Sequence, residues 1–252
     1  MNKSLTMAVL FVLAIALPVF TADADGLFLM LPEDGTKVSY TMKITGSNVP
    51  PEGAMQSMTI SSVGKVEHKG TPCRWIEIGF LNELKGMRRD TFHKLLIPEA
   101  ELKKGGNPIG KLVKAYLRQG DSPAAENKNV ASARNGPLPI LLCGPIKGVK
   151  KLEAVTLETG LGKLETAGLK GTTVFTEAAT EDPDPAGEDN STPEFKLKVD
   201  LEIRTHKKVP FGVAQAVLAY TVDTGPGERS GTITFTVDQV SKGASSALPD
   251  SK

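Results

Sequence analysis

The side chains that could do chemistry are few and scattered. Asp90 and His93 stand close enough in sequence to flank a hydroxyl. They fall in a run that reads as a strand, where an odd spacing puts two side chains on opposite faces. The three histidines, His68, His93 and His206, and the two cysteines, Cys73 and Cys143, show no metal-ligand spacing. Asp182, Asp184 and Gly187 match positions one, three and six of a calcium-binding EF-hand loop. Ala186 and Pro193 then occupy the positions where that loop needs an oxygen ligand and a bidentate Glu. No Gly-x-Ser-x-Gly elbow, phosphate-binding loop, dinucleotide fingerprint or His-Glu-x-x-His occurs. The expectation is a protein with no catalytic residues, no metal and no cofactor. An unrecognised hydrolase is the alternative of a different class.

The start of the chain carries an address. Met1-Asn-Lys3 is followed by an almost wholly apolar run from Leu5 to Phe20, then by Ala22 and Ala24 in an Ala-x-Ala arrangement. A basic start, an apolar centre and a small-residue cleavage pattern make residues 1–24 a secretory signal peptide. A retained membrane anchor is the competing reading, and the run is short for a span. No later segment reaches spanning length, so an exported protein, periplasmic or extracellular, is expected. In that compartment Cys73 and Cys143 are either a disulfide or two buried thiols. A bridge would close a loop of about 70 residues and stabilise by roughly 4 kcal/mol in the chain-entropy account.

Composition narrows the partners. Aromatic residues are 5% of the chain, with one Trp and three Tyr, and the formal net charge is +1. That argues against a stacked-ring platform for single-stranded nucleic acid or sugars and carries no global electrostatic message. The interval from Lys85 to Arg118 is locally basic, with only Asp90, Glu99 and Glu101 opposing. It could meet anionic lipid or polymer at an envelope, although solvated strand and helix faces are the plainer account. Lipid or an envelope protein are the partners to consider, and the oligomeric state stays open.

The elements that would position any site are mostly strands. Val38, Tyr40, Met42 and Ile44 alternate with polar residues from Gly35 to Ile44. Met55 to Glu67 continues as a strand whose apolar parity slips near Ser62 or Gly64, which predicts a bulge. Cys73 to Leu81, with Ile76, Ile78 and Phe80 inward, and Arg88 to Ile97 complete a meander. Asn107 as N-cap, Pro108 at the first position, and Ile109, Leu112, Val113, Tyr116 and Leu117 at helical spacing predict a helix over about 108–119. Leu138 to Cys143 reads as a short buried segment. Strands return over Thr156 to Glu177 and again from Glu194 to Gly243, where Phe195 to Ile203 and Ile233 to Val237 alternate strictly.

Pro210 cannot donate to a ladder and Gly212 permits a bend, so Val209 to Val213 should start its strand with a kink that drives Phe211 inward. A helix is the competing reading there, because Ala214, Ala216 and Ala219 favour it. Residues 177–193 read as a mobile acidic loop, and 244–252 as a disordered tail.

The strand-corner-strand of Glu158 to Leu169, with Thr159, Gly162 and Leu164 in a Thr-x-x-Gly-x-aliphatic arrangement, resembles exported bacterial proteins of the outer-membrane lipoprotein-carrier type. The Val209 to Gly212 strand and the closing hairpin add to the likeness, which spans about residues 155–240. The resemblance implies a curved, incomplete antiparallel barrel with helices in its concavity, and carries over no ligand-binding residue.

The expected fold is therefore mainly β (α+β), a single domain over 25–243: a curved antiparallel sheet or incomplete barrel with one covering helix. The expected function is non-enzymatic, with Phe211, Tyr116 and Leu112 as candidate lining of an apolar ligand or lipid site. The alternative is a structural or interaction module whose core is fully packed and empty of ligand.

Overall fold

A computed structural model describes residues 28–46, 55–84, 87–103, 105–126, 146–177, 195–223 and 227–248. Its strands are β1 (Lys37–Gly46), β2 (Met55–His68), β3 (Thr71–Leu84), β4 (Met87–Pro98), β5 (Lys114–Gln119), β6 (Ala125–Glu126), β7 (Lys147–Thr159), β8 (Gly162–Glu177), β9 (Phe195–Thr205), β10 (Val213–Asp223) and β11 (Glu228–Ser241). They form one 11-stranded sheet in the order β6-β5-β4-β3-β2-β1-β11-β10-β9-β8-β7, and the pairings are antiparallel. Two meanders thus meet where β1 pairs with β11. The sheet is open, with β6 and β7 at its edges. Lys147, Lys150 and Lys151 lie on the β7 edge and blunt it against pairing with another chain.

Alternation decides which face is inside. Val38 and Tyr40 of β1, Met58 and Ile60 of β2, Ile76 and Ile78 of β3, Leu95 and Ile97 of β4, and the alternate residues of β9 to β11 join one buried cluster. Both meanders contribute to it, so the sheet curls around its own apolar face. The expected bulge in β2 is present, as a register shift between Ser62 and Lys65. Arg74 pins that end of the core. Its guanidinium, buried, donates to Glu99 Oε1 (Nη2, 2.7 Å), Ser62 Oγ (2.8 Å) and the Pro32 carbonyl (3.2 Å).

The helix expected over 108–119 does not form. Asn107 caps a single turn: Gly110 N donates to Asn107 Oδ1 (2.8 Å) and Lys111 N to the Asn107 carbonyl (3.0 Å). Val113 N then donates to the Leu96 carbonyl (2.9 Å), and the chain continues as β5 along β4. Gly110 weakens a second helical turn, while Val113 and Tyr116 suit a strand. Pairing also satisfies the backbone groups of β4, which would otherwise be an edge. Ile109 and Leu112 still enter the core from the turn. Among the described residues, no helix is long and apolar enough to cross a membrane.

The Thr159–Leu164 corner folds the β7–β8 hairpin onto β11. Gly160 N donates to the Val237 carbonyl (3.1 Å), Thr159 Oγ1 bonds across the turn to the Gly162 carbonyl (2.8 Å), and Leu164 is buried. A Cβ at Gly160 would collide with the Asp238 carbonyl, so only glycine allows this approach. The segment before β10 makes a 3-10 turn over Pro210–Gly212, with Phe211 at φ 65° and its ring fully buried edge-on to Phe28, 5.4 Å between centroids. The strand reading of the closing sheet and its kink at Phe211 are what the structure contains.

Residues 244–248, expected to open a disordered tail, instead run across the outer face of the sheet, where Leu248 is buried. Residues 178–193 of the acidic loop and the segment Leu138 to Cys143 lie outside the described residues.

Candidate functional site

The outer face of β3, β4 and β5 departs from the polar surface that alternation predicts. Register places nine residues there in three rows: Trp75, Leu96 and Lys114; Glu77, Lys94 and Tyr116; Gly79, Phe92 and Arg118. The chain's single Trp is on this face. Phe92 lies over Gly79, where a Cβ would come within 2.8 Å of its ring, and the Arg118 guanidinium stacks on Phe92 at 4.5 Å. Trp75 and Tyr116 contact at 5.8 Å between centroids. Lys94 places its ammonium 5.2 Å from the centre of the Trp75 ring, a cation–π arrangement that gains strength out of water.

Two charges in this array are buried, Glu77 at 5% exposure and Lys94 at 1%. Buried charges are costly unless hydrogen-bonded. The C-terminal strap supplies partners. Glu77 Oε1 accepts from Ala247 N (3.0 Å), and Oε2 accepts from Ala247 N (3.1 Å) and Leu248 N (3.3 Å). Ser246 Oγ is 2.8 Å from Glu77 Oε2 and 2.7 Å from the Leu248 carbonyl, and its one proton serves one of them at a time. Lys94 Nζ donates to the Leu248 carbonyl (3.4 Å) and Arg118 Nη1 to the Ala247 carbonyl (3.0 Å). The main chain of two consecutive residues, Ala247 and Leu248, is therefore read by a carboxylate on one side and two cations on the other. Arg118 also borders a depression of about 740 Å³, lined further by Asp90, Gly120, Asp121 and Ser122.

No family model and no curated protein matches this chain. Among solved structures, it is similar to a protein from Bacteroides fragilis described as exported and YmcC-like in fold, at 8% identity and a TM-score of 0.34, covering 85% of this chain and 99% of the other. A protein from Parabacteroides distasonis described as a lipoprotein aligns at 9% identity and a TM-score of 0.31, over 87% of this chain and 100% of the other. A beta-barrel-like protein of a domain of unknown function from Brucella abortus aligns at 9% identity and a TM-score of 0.24, over 84% and 99%. At these scores the likenesses assign this chain no role.

The residues singled out from sequence are not brought together. Phe211 and Leu112 belong to the inner cluster, whereas Tyr116 is on the opposite face of β5 beside Trp75. Cys73 is a buried free thiol, its pKa pushed up by burial; Cys143 lies outside the described residues. Asp90 and His93 do fall on opposite faces of β4. His93 points inward with Ile78 and Leu117 as cross-strand neighbours and its ring edge-on to Phe80 at 6.1 Å. Burial pushes its pKa down to about 4. Among the described residues, no cluster of His, Cys, Asp and Glu could hold a metal. Sequence reasoning missed Glu77 and Lys94. Their signal was weak: one Trp and one Glu sharing the outward parity of β3.

Proposed function

We propose that this chain is a non-enzymatic exported protein that works as an interaction module, through the outer surface of a sheet whose interior is filled by its own side chains. One observation supports this over the ligand-holding reading. Among the inward side chains of the return sheet, Leu197, Val199, Leu201, Ile203, Leu218, Phe235 and Val237 are at most 3% exposed and Phe211 is fully buried, while Val222 and Ile233 are half-buried. A side chain bordering a void that admits water would carry more accessible surface than this. Around these side chains a close-packed interior leaves no room for a lipid chain without repacking. The outer array of Trp75, Phe92 and Tyr116 among four charged groups has the aromatic and Arg enrichment of protein contact surfaces. Export rests on the signal-like residues 1–24.

Native mass spectrometry of protein purified gently from the exporting cell tests the reading. The expected spectrum is the chain without a bound lipid. A stoichiometric lipid adduct that survives purification would overturn it in favour of a ligand carrier. Turnover of a generic ester, phosphate or glycoside, abolished by a single carboxylate or serine substitution, would overturn the non-catalytic part.

A further inference from the structure

We propose that the outer face of β3–β5 is a peptide-binding site, self-occluded in this chain by its own Ser246–Leu248, whose ligand in a partner protein is an extended segment with a hydroxyl residue followed two positions later by a leucine. The inference rests on the interaction-module reading and names its site and ligand class.

The strap is the ligand's template. Among the described residues, side chains of the sheet hold it: Glu77 takes the N–H of two successive residues, Lys94 and Arg118 take two carbonyls, and Leu248 is 2% exposed. Main-chain recognition with one side-chain pocket is how extended peptides are commonly bound, the backbone giving affinity and the pocket selectivity. The receiving groups are supplied by three paired strands, so they are in place before any segment arrives. Among the described residues, the strap has no ladder pairing of its own. It is tethered just upstream, where Ala244 N donates to the Gly35 carbonyl (2.8 Å). A short tether gives the cis segment an effective concentration in the millimolar range. A partner must therefore compete with it, which makes residues 244–248 an occluding device. The depression beside Arg118 gives a longer segment somewhere to continue.

The probe is a synthetic peptide of the sequence Gly243–Asp250 with a fluorescent label. In the unmodified full chain, hydrogen exchange should find the Ala247 and Leu248 amides protected. A millimolar concentration of unlabelled peptide should accelerate their exchange several-fold as it displaces the strap. Leu248→Asp in the full chain should release the strap, shift the emission of Trp75, and bind labelled peptide at least tenfold more tightly than the unmodified chain does. Adding Glu77→Gln should weaken that binding at least tenfold.

Unprotected amides in the unmodified chain, or exchange indifferent to peptide, would overturn the proposal without reliance on any variant. So would a cooperatively melting Leu248→Asp chain that binds no peptide, or one in which Glu77→Gln changes nothing. A concentration-dependent dimer that exchanges straps would overturn it in favour of a second copy as occupant. A lipid adduct with intact peptide binding would sink the filled-core reading and leave this site standing; loss of peptide binding with no lipid would do the reverse.

Discussion

Glu77 and Lys94 stand directly opposite each other across β3 and β4, and each holds one pole of the same residue: Glu77 accepts from Leu248 N and Lys94 donates to the Leu248 carbonyl. The pair turns the polar face of a sheet into a seat for backbone. Lys94→Met keeps most of the stem and removes the ammonium. It leaves Glu77 buried beside a neutral neighbour, so destabilisation of about 2–4 kcal/mol is expected. Lys94→Met with Glu77→Leu, which removes both charges, should recover much of that loss. Urea melts of the two variants decide it: a double variant no more stable than the single one would mean the charges are not coupled through this seat.

Phe211 combines full burial with a left-handed backbone, φ 65°. Loss of the ring in Phe211→Ala should cost about 3–5 kcal/mol. Phe211→Gly makes the same cavity or a slightly larger one but relieves the backbone strain, worth about 1–2 kcal/mol. The glycine variant should therefore melt above the alanine variant, the reverse of the usual order. Calorimetry that finds alanine the more stable would contradict the strained geometry.

His93 supplies a pH dependence. Its pKa is pushed down to about 4 in the fold from the ordinary 6.5. Between those values the unfolded chain binds the extra proton and the folded one does not, so stability rises with pH across the window. The contribution is complete above about pH 6.5 and is lost as pH falls towards 4, on the order of 3 kcal/mol in all. Denaturant midpoints from pH 4 to 7 should show it. His93→Phe, which keeps an aromatic ring against Phe80, should flatten that part of the profile. An unchanged slope would place the titration elsewhere.

Gly160→Ala tests the folded-back corner. The new Cβ meets the Asp238 carbonyl, a backbone atom that cannot swing aside. The hairpin tip must lift from β11, breaking the Gly160 N to Val237 carbonyl bond and exposing Leu164. A loss of about 2–3 kcal/mol is expected, with faster proteolysis at the corner. Wild-type stability would show that the corner does not dock.

Arg74→Met should separate the end pin from the core. It deprives Glu99 and Ser62 of their guanidinium partner while keeping an apolar stem. Glu99 is part-exposed and can be rehydrated, so the cost should be nearer 2 than 5 kcal/mol. A loss well above that in thermal melts would mean that Arg74 organises residues 32–34 as well.

The strand alternation alone determined most of the sheet. Val38 to Ile44, Ile76 to Phe80, Phe195 to Ile203 and Ile233 to Val237 each carry a period of two over enough residues that one face had to be buried, whatever lay above it. The slip of parity in β2 located its bulge for the same local reason. Pro210 and Gly212 announced the kink at Phe211, because neither proline's missing donor nor glycine's freedom depends on distant residues.

What the tertiary structure decided was everything that needed a partner. Ile109 to Leu117 carries an apolar spacing that satisfies a helix locally, yet the open edge of β4 offered backbone hydrogen bonds to a strand, and pairing outweighed propensity. Residues 244–248 are small and polar with one leucine, which reads as a tail. They are ordered because Glu77 and Lys94, some 150 residues or more away along the chain, are held at the spacing of their main-chain groups. Residue type and period are local properties and are written in the sequence. Which buried charge meets which backbone amide depends on the register of three strands, and only the folded sheet sets that.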